Sequence, residues 1–437
     1  MKKIVFFLLC SISVFSQKTI EDFKSEKLEE SREIAIGLPQ NYAKNIEKKY
    51  PLLLLLDGDY LFDPFSGTLT YGAYWEDLPE TIIVGIGQNK KNERLADCGS
   101  YNEEGFPNEK SAKFFDFISM ELMPYLDKKL RIGNLRIIAG HDTTAGFANL
   151  FLYKDNPTFN GYISLSPELA NHMEVQVPES FGKQKKPLFY YLATADGDVK
   201  EIKNAIDMLN TNINLIKNPV VSYKFDELKD ASHYSLVSFA VPNSLYHIFG
   251  AFKPITHKEY EEKIVTMKEG YADYLINKYD IINNTLGLKM KIRFSDFKAI
   301  EAAIIENNDF NELDRLAQLA NKNYPKSMLG DYFLAKMFEK KADYKQAAKY
   351  YQSAFVFQPI GDLTKDLMME KVSQMKAFLP AKLKKGQKVE ELPVVDTPAE
   401  QVPTITDTPI PTEIPVATEV SDPTKTPKKV TKAKKKK

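Results

Sequence analysis

The sequence predicts an α/β protein: a mostly parallel sheet with helices on both faces, followed by an all-α domain and a disordered tail. Three observations predict it. Between about Glu30 and Phe252, short apolar runs alternate with helical patterns. After Pro254 the strand signal disappears, and helical spacing alone continues to about Leu379. Beyond about Pro380 large apolar residues thin out, and Leu392 to Pro427 is rich in Pro, Thr and Val with no aromatic residue. At 437 residues the chain exceeds what one core usually organises. The expected divisions are 1–16, 17–255, 256–380 and 381–437.

The first division reads MKKIVFFLLCSISVFSQ. Lys2 and Lys3 form a charged start, Ile4 to Phe15 an apolar run too short to span a bilayer, and Val14-Phe15-Ser16 a small-x-small cleavage site. This order predicts a signal peptide rather than a buried N-terminal helix, so export to a periplasm or the extracellular space is expected. Cleavage after Ser16 leaves Cys98 as the one remaining cysteine, so no intramolecular disulfide forms. No later stretch is long and apolar enough to cross a membrane.

In the second division the strand candidates are Arg32–Pro39, Pro51–Gly58, Thr81–Gly87, Leu135–Gly140, Gly161–Ser166, Pro187–Thr194 and Val220–Phe225. Most are continuous apolar runs, the pattern of strands covered on both faces. Ser111 to Leu130 spaces its apolar residues at i, i+3, i+4, which predicts a helix packed on the sheet.

In the third division two segments match at a 34-residue offset: Phe310 with Tyr344, Leu313 with Ala347, Ala320 with Ala354, and Pro325 with Pro359. The second copy resembles a tetratricopeptide repeat through Ala335, Phe338, Tyr344, Ala347, Tyr351, Ala354 and Pro359. The first is degenerate, with Glu301 where a small residue belongs. Tyr332, Phe333, Tyr350 and Phe355 exceed what one hairpin core needs. They suit either a groove for a protein partner or packing on the sheet domain.

The tail cannot bury enough surface to offset its ordering entropy, which predicts disorder. Net charge is formally zero, but Ser421 to Lys437 holds eight lysines and one aspartate, about +7, so the remainder carries about −7. A mildly acidic body offers no general basic surface, and nucleic acid is not an expected partner. The lysine tip suits weak contact with an anionic surface.

The chemistry-bearing segment is the run LRIIAG followed directly by HDTTAGFANLFLYKDN. A strand, a sharp turn with small residues, then a helix is the geometry of the nucleophile elbow, G-x-S-x-G. Here it reads Gly140-His141-Asp142-Thr143-Thr144. With Leu55-Leu56-Asp57-Gly58 earlier, Ser166-Pro167 after the next strand and a late His233, the chain resembles the esterase group of α/β hydrolases that includes esterase D and the enterochelin esterases. The resemblance covers about Glu30 to Phe252 and implies an α/β-hydrolase fold.

It also implies roles. Asp142 stands where the family's nucleophilic serine stands, and His233 where its base stands. The triad acid falls on Asp198 or Asp196, with the family's spacing favouring Asp198. The oxyanion hole would use the backbone N–H of Thr143 and one near Asp59 or Tyr60. The departures are Asp for the serine, Thr144 for the second elbow glycine, and Ala145 for the next. A carboxylate is a weak acyl nucleophile whose attack on an ester gives a readily reverting anhydride, so ordinary serine chemistry is not expected. β-Branched Thr144 is expected to re-aim the elbow slightly, and the Asp142 carboxylate to lie within hydrogen-bond reach of His233.

Two readings follow. One is a degenerate hydrolase retained for binding a small ester or ester-like ligand. The other is an active hydrolase using Asp142, or a neighbouring threonine, with His233 and Asp198. His233 with Asp142 and Asp198 would also make a metal set, but an Asp–His ion pair accounts for the same residues. Neither metal nor cofactor is expected.

Overall fold

The computed structural model describes residues 18–379. The expected signal peptide (1–16) and tail (381–437) lie outside the described residues. Eight strands form one sheet in the order β1-β2-β4-β3-β5-β6-β7-β8. They are β1 (Lys18–Ser25), β2 (Glu30–Gly37), β3 (Tyr50–Leu55), β4 (Ile82–Ile86), β5 (Ile132–His141), β6 (Gly161–Leu165), β7 (Leu188–Gly197) and β8 (Val221–Ser232). β1 with β2 and β2 with β4 are antiparallel; every other pair is parallel.

β2 to β8 fall on the seven apolar runs. β1 was not among them: it is an edge strand with alternating exposure, and its sequence KTIEDFKS is charged. Edge strands tolerate and favour such charge because it discourages pairing with another chain.

The continuous runs are buried on both faces because helices cover both. α1 (Gly58–Tyr74) follows β3, and α2 (Glu93–Cys98) follows β4. α3 (Glu109–Asp116) and α4 (Met123–Lys129) precede β5, and α5 (Thr143–Ala148) follows it. α6 (Met173–Lys183), α7 (Lys200–Asn214) and α8 (Leu236–Ile248) follow β6, β7 and β8. The single helix expected over 111–130 is two α segments joined by a π turn, Phe117–Leu122, beside Pro124, which has no N–H for the preceding turn.

Beyond Phe252 the chain is helical: α9 (His257–Glu259), α10 (Tyr271–Asp280), α11 (Phe294–Glu306), α12 (Glu312–Asn323), α13 (Leu329–Lys340), α14 (Tyr344–Ala354) and α15 (Lys365–Ala377). The two 34-residue copies span α11 with α12 and α13 with α14. Their small residues are buried where expected: Ala320, Ala335, Ala347 and Ala354 are wholly inaccessible. Glu301 in the degenerate copy is also buried, satisfied by Lys298 at 2.5 Å and the Tyr332 hydroxyl at 2.7 Å. Among the described residues no helix is long and apolar enough to cross a membrane.

Alternation along each strand sends its residues to two cores. Leu52, Leu54, Val84, Ile138, Tyr190 and Leu192 meet α3 to α7 on one face. Leu53, Leu55, Ile137, Ile163, Tyr191 and Ala193 meet α1 and α8 on the other. This second core does not stop at the sheet. It continues through Phe249, Ile255, Tyr260 and Leu275 into Phe297, Ile300 and the helical pairs as one apolar cluster. Polar clamps reinforce the junction. Arg293 donates from Nη1 to the Phe252 carbonyl (2.7 Å) and lies over the Phe252 ring. Buried Asp296 accepts from the Ile255 N–H (2.9 Å) and the Tyr279 hydroxyl (2.8 Å). Tyr332 and Phe333 are buried and Tyr350 stacks on Phe338, so these aromatics are taken up in packing.

Candidate active site

β5 delivers the chain to Asp142 at the carboxyl end of the sheet. Asp142 has φ 59° and ψ −124°, a backbone region costly for any residue with a Cβ. Four hydrogen bonds hold it there. Its N–H donates to the Leu165 carbonyl (2.9 Å), and its carbonyl accepts from the N–H groups of Ala145 (3.0 Å), Gly146 (3.1 Å) and Glu168 (3.1 Å).

Thr144, β-branched where the family has a glycine, is accommodated inside the elbow. Thr144 is fully buried; its hydroxyl accepts from the His141 N–H (2.9 Å) and donates to Asp57 Oδ2 (2.7 Å). The tight approaches fall elsewhere. A Cβ on Gly140 would come within 2.7 Å of the Ala145 nitrogen, and one on Gly146 would overlap the Glu168 carbonyl oxygen.

His233, in the turn between β8 and α8, faces Asp142 with one nitrogen and Asp198 with the other. Nδ1 lies 2.7 Å from Asp198 Oδ1, and Nε2 lies 3.8 Å from Asp142 Oδ1. The second distance is an ion-pair contact longer than a hydrogen bond, which corrects the expected direct contact. Asp198 also accepts from the hydroxyls of Ser166 (2.7 Å) and Thr194 (2.8 Å) and from the Val199 N–H (2.8 Å). Burial opposes its ionisation, but these bonds together hold its carboxyl well below the usual range. The His233 pKa is raised above its ordinary value, chiefly by Asp198, with Asp142 adding to the effect and burial opposing it.

Asp196 does not join. It is exposed and accepts from the Asp230 N–H (3.0 Å), two residues away from the carboxylate that meets His233. Of the oxyanion-hole candidates, Thr143 opens α5 directly after Asp142. The Tyr60 N–H is taken by the Asp57 carbonyl (3.1 Å), and the Asp59 carboxylate turns to the N–H of Gln88 (2.8 Å).

The residue that sequence reasoning missed is Arg94, on α2. Its Nε donates to Asp57 Oδ1 (2.7 Å), its Nη2 to the His141 carbonyl (2.7 Å), and its Nη1 reaches Asp142 Oδ2 at 3.3 Å. Asp57 is wholly buried, and a buried carboxylate needs a cation. With six arginines in the chain, that requirement was the one available signal. The Tyr60 hydroxyl lies 3.0 Å from both Asp57 Oδ2 and His141 Nδ1, and His141 Nε2 donates to the His233 carbonyl at 2.9 Å. Burial lowers the His141 pKa, which keeps the ring neutral. Among the described residues no three His, Cys, Asp or Glu side chains converge as a metal-ligand set.

A parallel-centred sheet, a strained strand–turn–helix elbow and a histidine–aspartate pair at its carboxyl edge define an α/β-hydrolase. Residues 25–203 match the family described as "Putative esterase". The chain is similar to a crystal structure of an uncharacterised protein from Capnocytophaga ochracea at 30% identity, covering 83% of this chain and 100% of that one with TM-score 0.73. An IroE-like serine hydrolase from Shewanella oneidensis shares the fold at 20% identity, covering 72% of this chain and 100% of that one with TM-score 0.52. No curated protein matches. The fold is that of an α/β hydrolase, and the esterase-family match lies within its sheet domain, residues 25–203.

Proposed function

We propose that this chain is an exported, degenerate esterase whose cleft binds a small ester or ester-like ligand without cleaving it. One observation carries the reading: a carboxylate, Asp142, stands at the tip of the elbow where a serine hydroxyl is required, with His233 between it and Asp198. Serine esterase chemistry needs a hydroxyl hydrogen-bonded to a neutral imidazole that accepts its proton. Asp142 offers a carboxylate in place of that hydroxyl. Two carboxylates on opposite sides of His233 favour imidazolium, which lacks the lone pair a general base needs. The same bias toward the protonated ring weakens His233 as a base that could activate water to clear an Asp142 acyl anhydride. The neighbouring threonines are engaged elsewhere, Thr143 with Glu168 Oε2 at 2.6 Å and Thr144 with Asp57.

The helical pairs act as a brace for the sheet domain in this reading, supported by the shared apolar cluster. The test is a panel of short-chain aryl esters with wild type, Asp142→Ser, Asp142→Asn and His233→Ala. Wild type is expected to match the His233→Ala background, and Asp142→Ser to gain measurable turnover. Wild-type turnover lost in both Asp142→Asn and His233→Ala would instead make Asp142 a nucleophile.

A further inference from the structure

The Asp142 carboxylate faces the His233 ring, yet the two do not close onto each other. The 3.8 Å between His233 Nε2 and Asp142 Oδ1 is longer than a charge-assisted hydrogen bond of about 2.8 Å. Asp142 is a short side chain on a backbone fixed by four hydrogen bonds, so its carboxylate has only its own torsions to choose a partner with. The other oxygen is occupied: Oδ2 meets Arg94 Nη1 at 3.3 Å.

Arg94 is itself immobilised, by Asp57 at Nε and the His141 carbonyl at Nη2. Its N–H donates to the Gln88 carbonyl (3.0 Å), and the Gln88 side chain accepts from the Asp57 N–H (3.0 Å). Behind it, α2 is fastened by Asp97, which is wholly buried against Arg32 at 2.6 Å and accepts from Gln88 Nε2 at 3.1 Å. The guanidinium is thus a rigid fork with two tines already set, and the third meets Asp142.

We propose that Arg94 is the positioning residue of this cleft: by holding one oxygen of Asp142, it keeps the carboxylate from collapsing onto His233 and leaves the two groups apart and open to a ligand. The inference rests on the degenerate-esterase reading only in taking Asp142 as the cleft's permanent occupant. Turnover and titration can fail separately. The fork geometry matters, because a lysine ammonium keeps the charge but cannot meet three acceptors along fixed directions. Held by buried Asp57, it would release Asp142 to swing toward His233.

The test is an imidazole NMR titration of His233, whose surrounding charged and titratable groups are Asp198, Asp142, Arg94, His141 and Tyr234. Arg94→Lys retains a cation beside Asp57 and is the variant on which the test stands; Arg94→Met accompanies it. Arg94→Lys is expected to raise the His233 pKa above wild type, and to leave it unmoved when Asp142 is already Asn. A His233 that titrates in Arg94→Lys as in wild type would show that charge alone is at work and overturn the proposal. So would an equal rise in the Asp142→Asn background, because Arg94 would then act without Asp142.

Discussion

Replacing Asp142 by Asn removes one charge from the cleft while nearly preserving shape, and His233 should report it. At the observed 3.8 Å, two unit charges attract by about 1 kcal/mol in bulk water and about 4 kcal/mol at an effective dielectric of 20. The His233 side chain is 10% exposed and that of Asp142 24%, so the true value lies between these limits. Asp142→Asn therefore lowers the His233 pKa, though Asp198 at 2.7 Å keeps supporting the imidazolium. A folded pKa raised above the unfolded one stabilises the fold fully below the unfolded value, about 6.5. That contribution disappears as pH climbs through the folded pKa. Wild type should thus exceed Asp142→Asn in stability most clearly below the unfolded His233 value, with the advantage fading as pH climbs through the raised folded pKa. The assay is a proton NMR titration of the His233 ring, with thermal melts at about pH 5.5 and 9 beside it. Identical His233 pKa values in the two proteins would show that the carboxylate and the imidazole do not interact, and the reasoning would fail.

Three further outcomes are expected. Gly146→Ala forces a Cβ into the Glu168 carbonyl, where backbone must move, and should cost about 3 kcal/mol or more in thermal or denaturant unfolding; a melt matching wild type would refute the tight packing. The helical segment 257–379 produced alone should lack a cooperative melt by circular dichroism, because its core is continuous with that of the sheet; a sharp transition would show that it folds independently. If the proposed export holds, N-terminal sequencing of the natively produced protein should begin near Gln17, and a mature chain still starting at Met1 would exclude cleavage.

Most of the sheet was legible because burial on both faces leaves an unmistakable mark, as in PLLLLL and TIIVGI. β1 was not, since one edge of it faces no strand and its residues are mostly exposed. The elbow was legible as a local pattern: strand, small residues, helix. What the pattern could not say was which glycine bears the close approach, and the task falls to Gly146 and not to position 144. Asp198 and His233 could be placed by order along the chain. Arg94 could not, since its partners Asp57 and Asp142 lie 37 and 48 residues away and nothing periodic links them. For the same reason the Asp142–His233 separation was beyond sequence reading: it is set by that unseen third party.

The apolar cluster that runs from the sheet into the helical pairs has a consequence for His233. The histidine sits in the short turn before α8, and α8 buries Leu236, Val241, Leu245 and Ile248 in that same cluster. Opening fluctuations of the turn must therefore separate groups shared with helices far along the chain. Amide exchange around Ala231 to Ser235 should be slow where the helical pairs are intact, and a cavity made at Phe297 or Phe333 should quicken it. A lesion in the repeats would then be felt as a looser histidine, with no residue of the cleft altered.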